Sequence, residues 1–219
     1  MTASKTDTEK FHTGIFERLP EEKQERILNI AVKEFATNGF LNSRIKTIAH
    51  QAGISYGSIY SYFPTKDDLL RTIIRRNVQF QKKILAETVH EDTDVYTNLE
   101  NYFRLSVKIA REKPELIAIW RDIAQAYHTK FMPEILELEK EGLKTLRELV
   151  ERGIATRFLS PDINIDASVY IIDSISSELL ASCVSAQNRE KKRLFFGGKS
   201  DNLVVEEIMS VVKRILPTR

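Results

Sequence analysis

The chain has 219 residues, enough for one large folded domain or two small ones, and its formal net charge of +2 requires any nucleic-acid site to be a local patch. A single cysteine, Cys183, excludes an internal disulfide and suits a reducing compartment. No uninterrupted apolar run approaches the roughly 20 residues of a membrane span, and the N-terminus lacks a signal-peptide core, so we expect a cytoplasmic protein that does not enter a membrane.

The chain starts with a polar stretch, residues 1–10, which we expect to be disordered. Apolar residues then appear at Phe11, Ile15, Phe16 and Leu19. They predict a short helix packed on the next domain, and the alternative is an arm that reaches DNA. We favour packing because acidic and basic residues balance each other in this segment.

The first firm helix is predicted to begin at Pro20 and to end at Asn38-Gly39. Proline suits a first helical turn, and a glycine often ends a helix. This helix is expected to bury the backs of the two helices that follow. Its apolar stripe consists of Ile27, Ile30, Ala31 and Phe35.

The stretch from Ser43 to Lys66 predicts a helix, a tight glycine turn and a second, short helix. Ser43 is expected to cap the first of these helices, and Gly53 to end it with a positive φ. Ser55 is expected to cap the second helix, Tyr56–Tyr62. This arrangement is typical of a helix-turn-helix, whose second helix lies in the DNA major groove.

The short second helix is expected to bury Ile59 and to expose a polar, aromatic face. Aromatic side chains there could contact phosphate or stack on sugar and thymine methyl groups. The residues expected on the exposed side are Tyr56, Ser58, Tyr60, Ser61 and Tyr62. Thr65 and Asp68 then predict the capped start of the next helix, with Lys66 pointing back toward the same surface.

These motifs resemble the tetracycline-repressor (TetR) family over about residues 21–75, roughly a quarter of the chain. The resemblance is carried by AGIS, Gly57, the pairs IY and YF, and KDDLL. It implies an all-α fold, in which an N-terminal three-helix DNA-binding domain is joined by a long helix to a helical ligand-binding and dimerisation domain. The corresponding divisions are an extension at 1–19 and domains at 20–66 and 67–219.

The resemblance also implies nine DNA-contacting positions. They are Arg44, Thr47, Ser55, Tyr56, Gly57, Ser58, Tyr60, Tyr62 and Lys66. Arg44 and Thr47 match a helix start where phosphate contacts are expected, and Lys66 matches a phosphate-contacting lysine. The family often has Lys at the position of Tyr56 and Thr or Ser at that of Arg44, so the operator sequence stays open.

The rest of the chain predicts further helices from apolar residues at helical spacing. The first is a long one that no Pro or Gly separates from the preceding motif, so the linker between the domains is itself a helix. The predicted helices are 67–90, 94–112, 114–127, 134–156, 166–187 and 202–216, with a basic loop at 188–201.

The helices at 166–187 and 202–216 are apolar on more than one side, which predicts a partner. Two copies of such a pair can form a four-helix bundle across a twofold axis, and a homodimer suits a palindromic operator. The alternative is that both sides are covered within one subunit. The predicted interface residues are Val169, Ile172, Ser176, Leu180, Leu203, Ile208 and Val211.

Aromatic and polar residues among the middle helices predict a small-molecule site. The candidates are Phe103, Trp120, Arg121, Gln125, Tyr127, Tyr170 and Asp173. The alternative is that these aromatics are ordinary core residues. We expect an apolar or amphipathic effector, and Arg121 could meet an anionic end of it.

The resemblance therefore implies a homodimeric transcriptional regulator, most often a repressor, that a small molecule releases from its operator. An enzyme is disfavoured because the four histidines lie far apart and no phosphate loop or nucleophile motif is present. We expect no metal and no cofactor. The alternative function is a helical adaptor that binds protein rather than DNA.

Overall fold

The computed structural model describes residues 10–90, 92–126 and 128–219, without the side chains of 124–126, 128, 129 and 138. Within these residues the fold is all-α, as predicted, and the only strand-like pairing is an isolated bridge between Leu159 and Thr218. The helices are α1 Gly14–Glu17, α2 Glu21–Asn42, α3 Ile45–Gln51, α4 Tyr56–Tyr62, α5 Lys66–Thr88, α6 Val95–Glu112, α7 Pro114–Ala126, α8 His128–Ala155, α9 Ile165–Val184, α10 Ala186–Phe196 and α11 Asp201–Ile215. Of the stretch predicted to be disordered, residues 1–9 lie outside this description.

The chain forms two compact units. The first holds the described residues up to Gln79 together with Ile119–Glu134, and the second holds Phe80–Ala118 with Ile135–Arg219. Helices α5, α7 and α8 therefore contribute residues to both units. The predicted domain boundary after residue 66 stays a prediction about the DNA-binding module. The boundary between the two compact units lies within α5, between Gln79 and Phe80.

Helix α2 contains a break that the sequence signalled at Gly39. This glycine has φ +71°, a conformation that other residues rarely adopt, and the helix resumes beyond it as far as Asn42. The backbone N–H of Phe40 donates to Asp122 Oδ2 on α7 at 3.0 Å, within the same unit. A side-chain carboxylate of another helix thus serves as an acceptor for the N–H that follows the break.

The start of α3 differs from the prediction that Ser43 caps it. Arg44 occupies the N-cap position, and the buried Ser43 instead donates its hydroxyl to the Phe40 carbonyl at 2.7 Å. The backbone N–H of Arg44 donates to the buried Glu34 carboxylate at 3.0 Å. The serine was assigned wrongly because the segment after Gly39 continues as helix and occupies the position where a cap was expected.

The second unit is organised around α6, which packs on α9 and α11, while α10 packs on α9. Asp94 caps α6 by accepting hydrogen bonds from the N–H groups of Tyr96 and Thr97. The buried core contains Leu99, Phe103, Leu146, Val150, Leu159, Ile172, Val204 and Met209, among others. Its members come from α6, α8, α9, α11 and the segment before α9, so burial of apolar area holds these elements together.

Two element boundaries were predicted wrongly. The basic stretch after Val184 is not a loop, because Ser185 caps a helix, α10, that ends at Gly197 with φ +61°. Helix α8 begins at His128 rather than at Pro133, which lies inside it. The sequence analysis missed α10 because this helix has no buried residue and lacks the apolar periodicity from which the other helices were predicted.

Helix α9 is the one described helix that is long and apolar enough, by length and composition, to cross a bilayer. A core helix of a water-soluble protein can meet the same measure. This helix packs on α6 and carries Asp173 and Glu178, and its buried Ser176 hydrogen-bonds to Ser106 of α6 at 3.1 Å. We therefore describe it as part of the folded second unit.

Candidate functional site

The turn between α3 and α4 has the predicted geometry. Gly53 adopts φ +65°, and its N–H donates to the carbonyl of His50 at 3.1 Å. Ser55 then caps α4 because its hydroxyl oxygen accepts from the N–H of Ser58 at 3.0 Å. These two positions fix the direction of a helix that is too short to be stable alone.

The N-terminal segment fixes the other end of α4. Thr13 donates its backbone N–H to the Tyr62 carbonyl at 2.9 Å and its hydroxyl to the Ser61 carbonyl at 2.6 Å. Phe16 is fully buried, with its ring centroid 4.6 Å from that of Phe63. The packing prediction is therefore confirmed for this segment, which satisfies the last carbonyl groups of α4.

The outer face of α4 presents two tyrosines side by side. Tyr56 is 53% exposed and Tyr60 is 40% exposed. Their rings meet edge to face with centroids 5.2 Å apart, and their hydroxyl groups are 3.3 Å apart. The hydrogen bond to Tyr56, with a smaller effect of burial, raises the pKa of Tyr60, so this phenol stays a neutral donor and acceptor. Gly57 and Ser61 are exposed on the same helix, and Ser58 is half-buried.

Tyr62 does not belong to this exposed face, contrary to the prediction. Its side chain is only 8% exposed, and its ring lies 6.0 Å from that of Phe16. The reason is that α1 covers the side of α4 on which Tyr62 lies. Tyr56 and Tyr60, four residues apart, instead form the aromatic pair of the exposed face.

Lys66 is held within the first unit rather than extended from it. Its ammonium donates to the carbonyls of Ser43 at 2.7 Å and Leu41 at 3.2 Å, and lies 4.8 Å from the centre of the Phe40 ring. Burial lowers the pKa of Lys66, against the opposing effects of the Asp67 and Glu34 charges. At least two of the three ammonium donors of Lys66 are thus bound to backbone carbonyls at the end of α2. The sequence analysis, which predicted a phosphate contact for this lysine, did not anticipate these hydrogen bonds.

The start of α3 supplies the exposed positive charge near α4. Arg44 is exposed, as the predicted phosphate contact requires, and Thr47 is half-buried. Lys46 between them is also exposed and was missed by the sequence reasoning. Its position in the first turn of a predicted helix was the available signal, because backbone N–H groups and side chains at helix starts commonly hold phosphates.

A cavity of about 170 Å³ lies inside the second unit. Residues from α5, α6, α7, α8 and α9 line it. Its apolar wall includes Ile84, Leu85, Leu105, Ile109, Ile117 and Leu180, and its polar groups are Gln81, Tyr102, Ser106, Glu139, Asp173 and Ser176. The hydroxyls of Ser106 and Ser176 are 3.1 Å apart across the α6–α9 contact, and the Ser106 hydroxyl donates to the Tyr102 carbonyl at 2.9 Å, which leaves Ser176 as the donor between the two serines.

Of the predicted effector residues whose side chains the structure describes, Asp173 lines this cavity and Phe103, Trp120, Arg121 and Tyr170 do not. Phe103 is fully buried core, and Tyr170 is 74% exposed on the outside of α9. Trp120 is half-buried and Arg121 is exposed, and both belong to the first unit. Tyr127 lies outside the described residues, as does the side chain of Gln125. Tyr102 was missed because a tyrosine at core spacing gives no sign of where its hydroxyl lies.

The predicted interface residues divide into inward and outward groups. On α9 the predicted face is the buried one: Val169, Ile172 and Ser176 are at most 5% exposed, and Leu180 lines the cavity. On α11, Leu203 and Val211 are about half exposed, and Ile208 is half-buried.

The outward apolar residues of α9 are Tyr170 and Ile171, and α10 adds Leu194 and Phe195, which are 85% and 74% exposed. An apolar groove of about 500 Å³ lies between α9 and α10 on this side, with Ile208 of α11 also in its lining. The prediction chose the wrong side of α9 because both sides are apolar and the sequence does not show which one α6 covers.

Comparison with protein families matches residues 27–73 to the model described as "Bacterial regulatory proteins, tetR family". The chain is 22% identical to the HTH-type transcriptional repressor KstR2 of Mycolicibacterium smegmatis over 148 residues, which cover 67% of this chain and 72% of that protein. It is 29% identical to the HTH-type transcriptional regulator RutR of Escherichia coli (strain K12) over 103 residues, or 47% of this chain and 48% of that one.

Two solved structures share the fold. One is a TetR family transcriptional regulator from Chloroflexus aurantiacus, with a TM-score of 0.70 and 22% identity, covering 95% of this chain and 100% of that one. The other is FadR from Bacillus subtilis in complex with stearoyl-CoA, with a TM-score of 0.72 and 18% identity, covering 88% and 98%. At this level of identity, the likeness concerns the fold.

Proposed function

We propose that this chain, which belongs to the tetR family of bacterial regulatory proteins, is a homodimeric repressor that a small apolar or amphipathic molecule releases from its operator. Its class, a DNA-binding transcription regulator, follows from the family. The homodimer, the palindromic operator and the release are our proposals.

The observation that carries the DNA-binding role is the paired face of Tyr56 and Tyr60 on the capped helix α4. A helix of this kind enters the major groove with its exposed residues against base edges. Exposed Arg44 and Lys46 at the start of α3 would add phosphate contacts that set its register. Two such heads on a twofold axis would read the two halves of a palindrome.

The dimer is supported by exposed apolar residues on both helices, Ile171 on α9 and Leu203 and Val211 on α11. Exposed apolar area of this kind is unfavourable in water and is covered when two copies pair. We expect Val211→Glu to convert the dimer to monomer in analytical ultracentrifugation, because the new carboxylate would be buried without a partner. The matched control is Leu136→Glu, at an exposed leucine of α8, which should leave the dimer unchanged.

Release by a ligand is supported by the course of α5. This helix follows the recognition helix directly, and its residues Gln81, Ile84 and Leu85 line the cavity. A molecule in the cavity that binds more tightly to one position of α5 would increase the population of that state. In this state the two recognition helices of the dimer would no longer have the spacing that the operator requires. The shift can be no larger than the difference in its affinity for the two states.

The test of operator recognition starts from DNA fragments selected out of a random library by the purified protein. We expect the selected site to be a palindrome and Tyr60→Ala to abolish specific binding while circular dichroism stays native. Ile15→Ala is the control, because this exposed residue lies off α4 in the same unit. Binding should also weaken steeply with added salt.

An unchanged gel shift with Tyr60→Ala would remove this tyrosine from the site. A protein that selects no DNA sequence, and is not retained on heparin at low salt, would contradict the regulator and favour the helical adaptor.

A further inference from the structure

The internal cavity has an uneven distribution of charge. Its described lining residues include two carboxylates, Asp173 and Glu139, and no Lys, Arg or His. Glu139 is exposed at the edge, whereas Asp173 is half-buried. A carboxylate or phosphate in this space would therefore meet like charge without any counter-ion from these residues, at a cost that burial increases.

Asp173 stands beside a group of hydroxyls. Burial raises the pKa of Asp173 above its ordinary value, as expected for a carboxylate with little compensation from its surroundings. Burial also raises the pKa of Tyr102 to about 12; the charge of Asp173 contributes to this shift, and a hydrogen bond with Ser176 opposes it. Tyr102 therefore stays protonated at neutral pH, and this wall of the cavity offers neutral hydroxyls and one anion.

The size of the cavity limits the molecule that fits. An engineered apolar cavity of about 150 Å³ holds one benzene molecule. The 170 Å³ here therefore has room for one ring or its equivalent, with a short polar group. Ile84, Leu105, Ile109 and Leu180 supply apolar contacts for such a body.

We infer that the cavity binds a small apolar amine of about one-ring size, whose protonated nitrogen lies against Asp173. The cation would supply the counter-charge that the described lining lacks, while the ring fills the apolar wall. This inference rests on the proposed function in treating the cavity as the effector site. It replaces the expected anionic end at Arg121, because Arg121 is exposed and belongs to the other unit.

The test compares three probes of nearly equal shape: benzylamine, benzyl alcohol and benzoate. Affinities for the purified full chain are measured at pH 7 by ligand-observed NMR titration. We expect benzylamine to bind at least about tenfold more tightly than benzyl alcohol, and benzoate to be the weakest of the three. Benzyl alcohol or benzoate binding as tightly as benzylamine would overturn the inference, and so would a failure of all three to bind.

The source of the preference is tested with Asp173→Asn, which keeps the shape of the side chain and removes its charge. Benzylamine and benzyl alcohol should then bind within about twofold of each other. Asp162→Asn removes an equal charge from an exposed loop residue that does not line the cavity, and should keep the preference. A full preference in Asp173→Asn would overturn the assignment to this carboxylate.

A gel shift with the selected operator, with and without benzylamine, separates this inference from the proposed function. A chain that binds the operator but shows no preference for the amine would refute the ligand class alone. A chain that prefers the amine but selects no operator would refute the regulator and leave the cavity assignment standing.

Discussion

The tightest glycine contact in the second unit gives a prediction whose magnitude can be worked out. A Cβ added at Gly153 of α8 would lie 2.6 Å from Leu159 Cδ1, 2.7 Å from Val95 Cγ2 and 2.8 Å from Leu159 Cγ. Carbon atoms in contact normally lie about 3.5–4.0 Å apart, so the neighbours must move by about 1 Å. Leu159 is fully buried and Val95 is 3% exposed, so neither side chain can move into solvent.

Overpacking of this kind costs about 1–3 kcal/mol, and we take the upper end because both neighbours are confined. Alanine is better than glycine in a helix by about 1 kcal/mol, which offsets part of the cost. Gly153→Ala should therefore lower the free energy of unfolding by about 2 kcal/mol.

Gly142, on the same helix, is the matched control. A Cβ there would lie 3.5 Å from the Tyr102 hydroxyl oxygen, which is ordinary contact. Gly142→Ala should therefore gain about 1 kcal/mol from helix propensity, a difference of about 3 kcal/mol between the two variants. Urea unfolding followed by far-ultraviolet circular dichroism measures both. Equal stability of the two variants, or a more stable Gly153→Ala, would refute the reasoning.

Three further predictions concern single contacts. Phe16→Ala should cost about 3–5 kcal/mol of stability in the first unit, because it removes a fully buried ring beneath α4; amide exchange across α4 as slow as in the unsubstituted protein would contradict this. Asp122→Leu should lower the free energy of unfolding by about 1–3 kcal/mol, because it removes the Asp122 acceptor of the Phe40 N–H. Asp122→Asn keeps an oxygen acceptor at this position and should retain most of the stability. Equal melting temperatures for the two variants would count against a contribution from this hydrogen bond. Burial tends to raise the pKa of Asp201, but hydrogen bonds and charge from Lys192 and Arg111 outweigh burial and leave this pKa lowered. The stability that the Asp201 carboxylate contributes is therefore present above its ordinary pKa of 3.8, and it is lost as the pH falls through the pKa of the folded state. Asp201→Asn should accordingly flatten this acid-side decline in an unfolding series over pH, and an unchanged slope would show that the ion pairs do not contribute.

Local signals in the sequence predicted the elements whose ends carry a turn glycine or a capping residue. Gly53, Ser55 and the Thr65–Asp68 pair each act through neighbours within a few residues, so their roles follow from the sequence alone. Thr65 and Asp68 do exchange hydrogen bonds at 2.7–3.1 Å, as the T-x-x-D pattern predicts. Helix bounds in the second unit were mostly found within a few residues for the same reason.

What the sequence could not provide was the choice between faces when both are apolar or both are polar. Tyr62 looks as exposed as Tyr60 until α1 is placed against it. On α9, Ser176 and Leu180 were predicted at an outer interface, but they lie toward α6 and the cavity. These outcomes depend on contacts between residues 46 and 70 positions apart, which no local pattern encodes.

The hydrogen bonds from Thr13 to the last carbonyls of α4 have a consequence for chimeric regulators. A graft that transplants only the helix-turn-helix, without the preceding segment 11–19, would leave the last carbonyl groups of α4 without the hydrogen bonds from Thr13. The transplanted module would fold less firmly and discriminate poorly between DNA sequences, even with every base-reading side chain retained. Under the proposed function, operator specificity would therefore require a longer piece of chain than the helix-turn-helix itself.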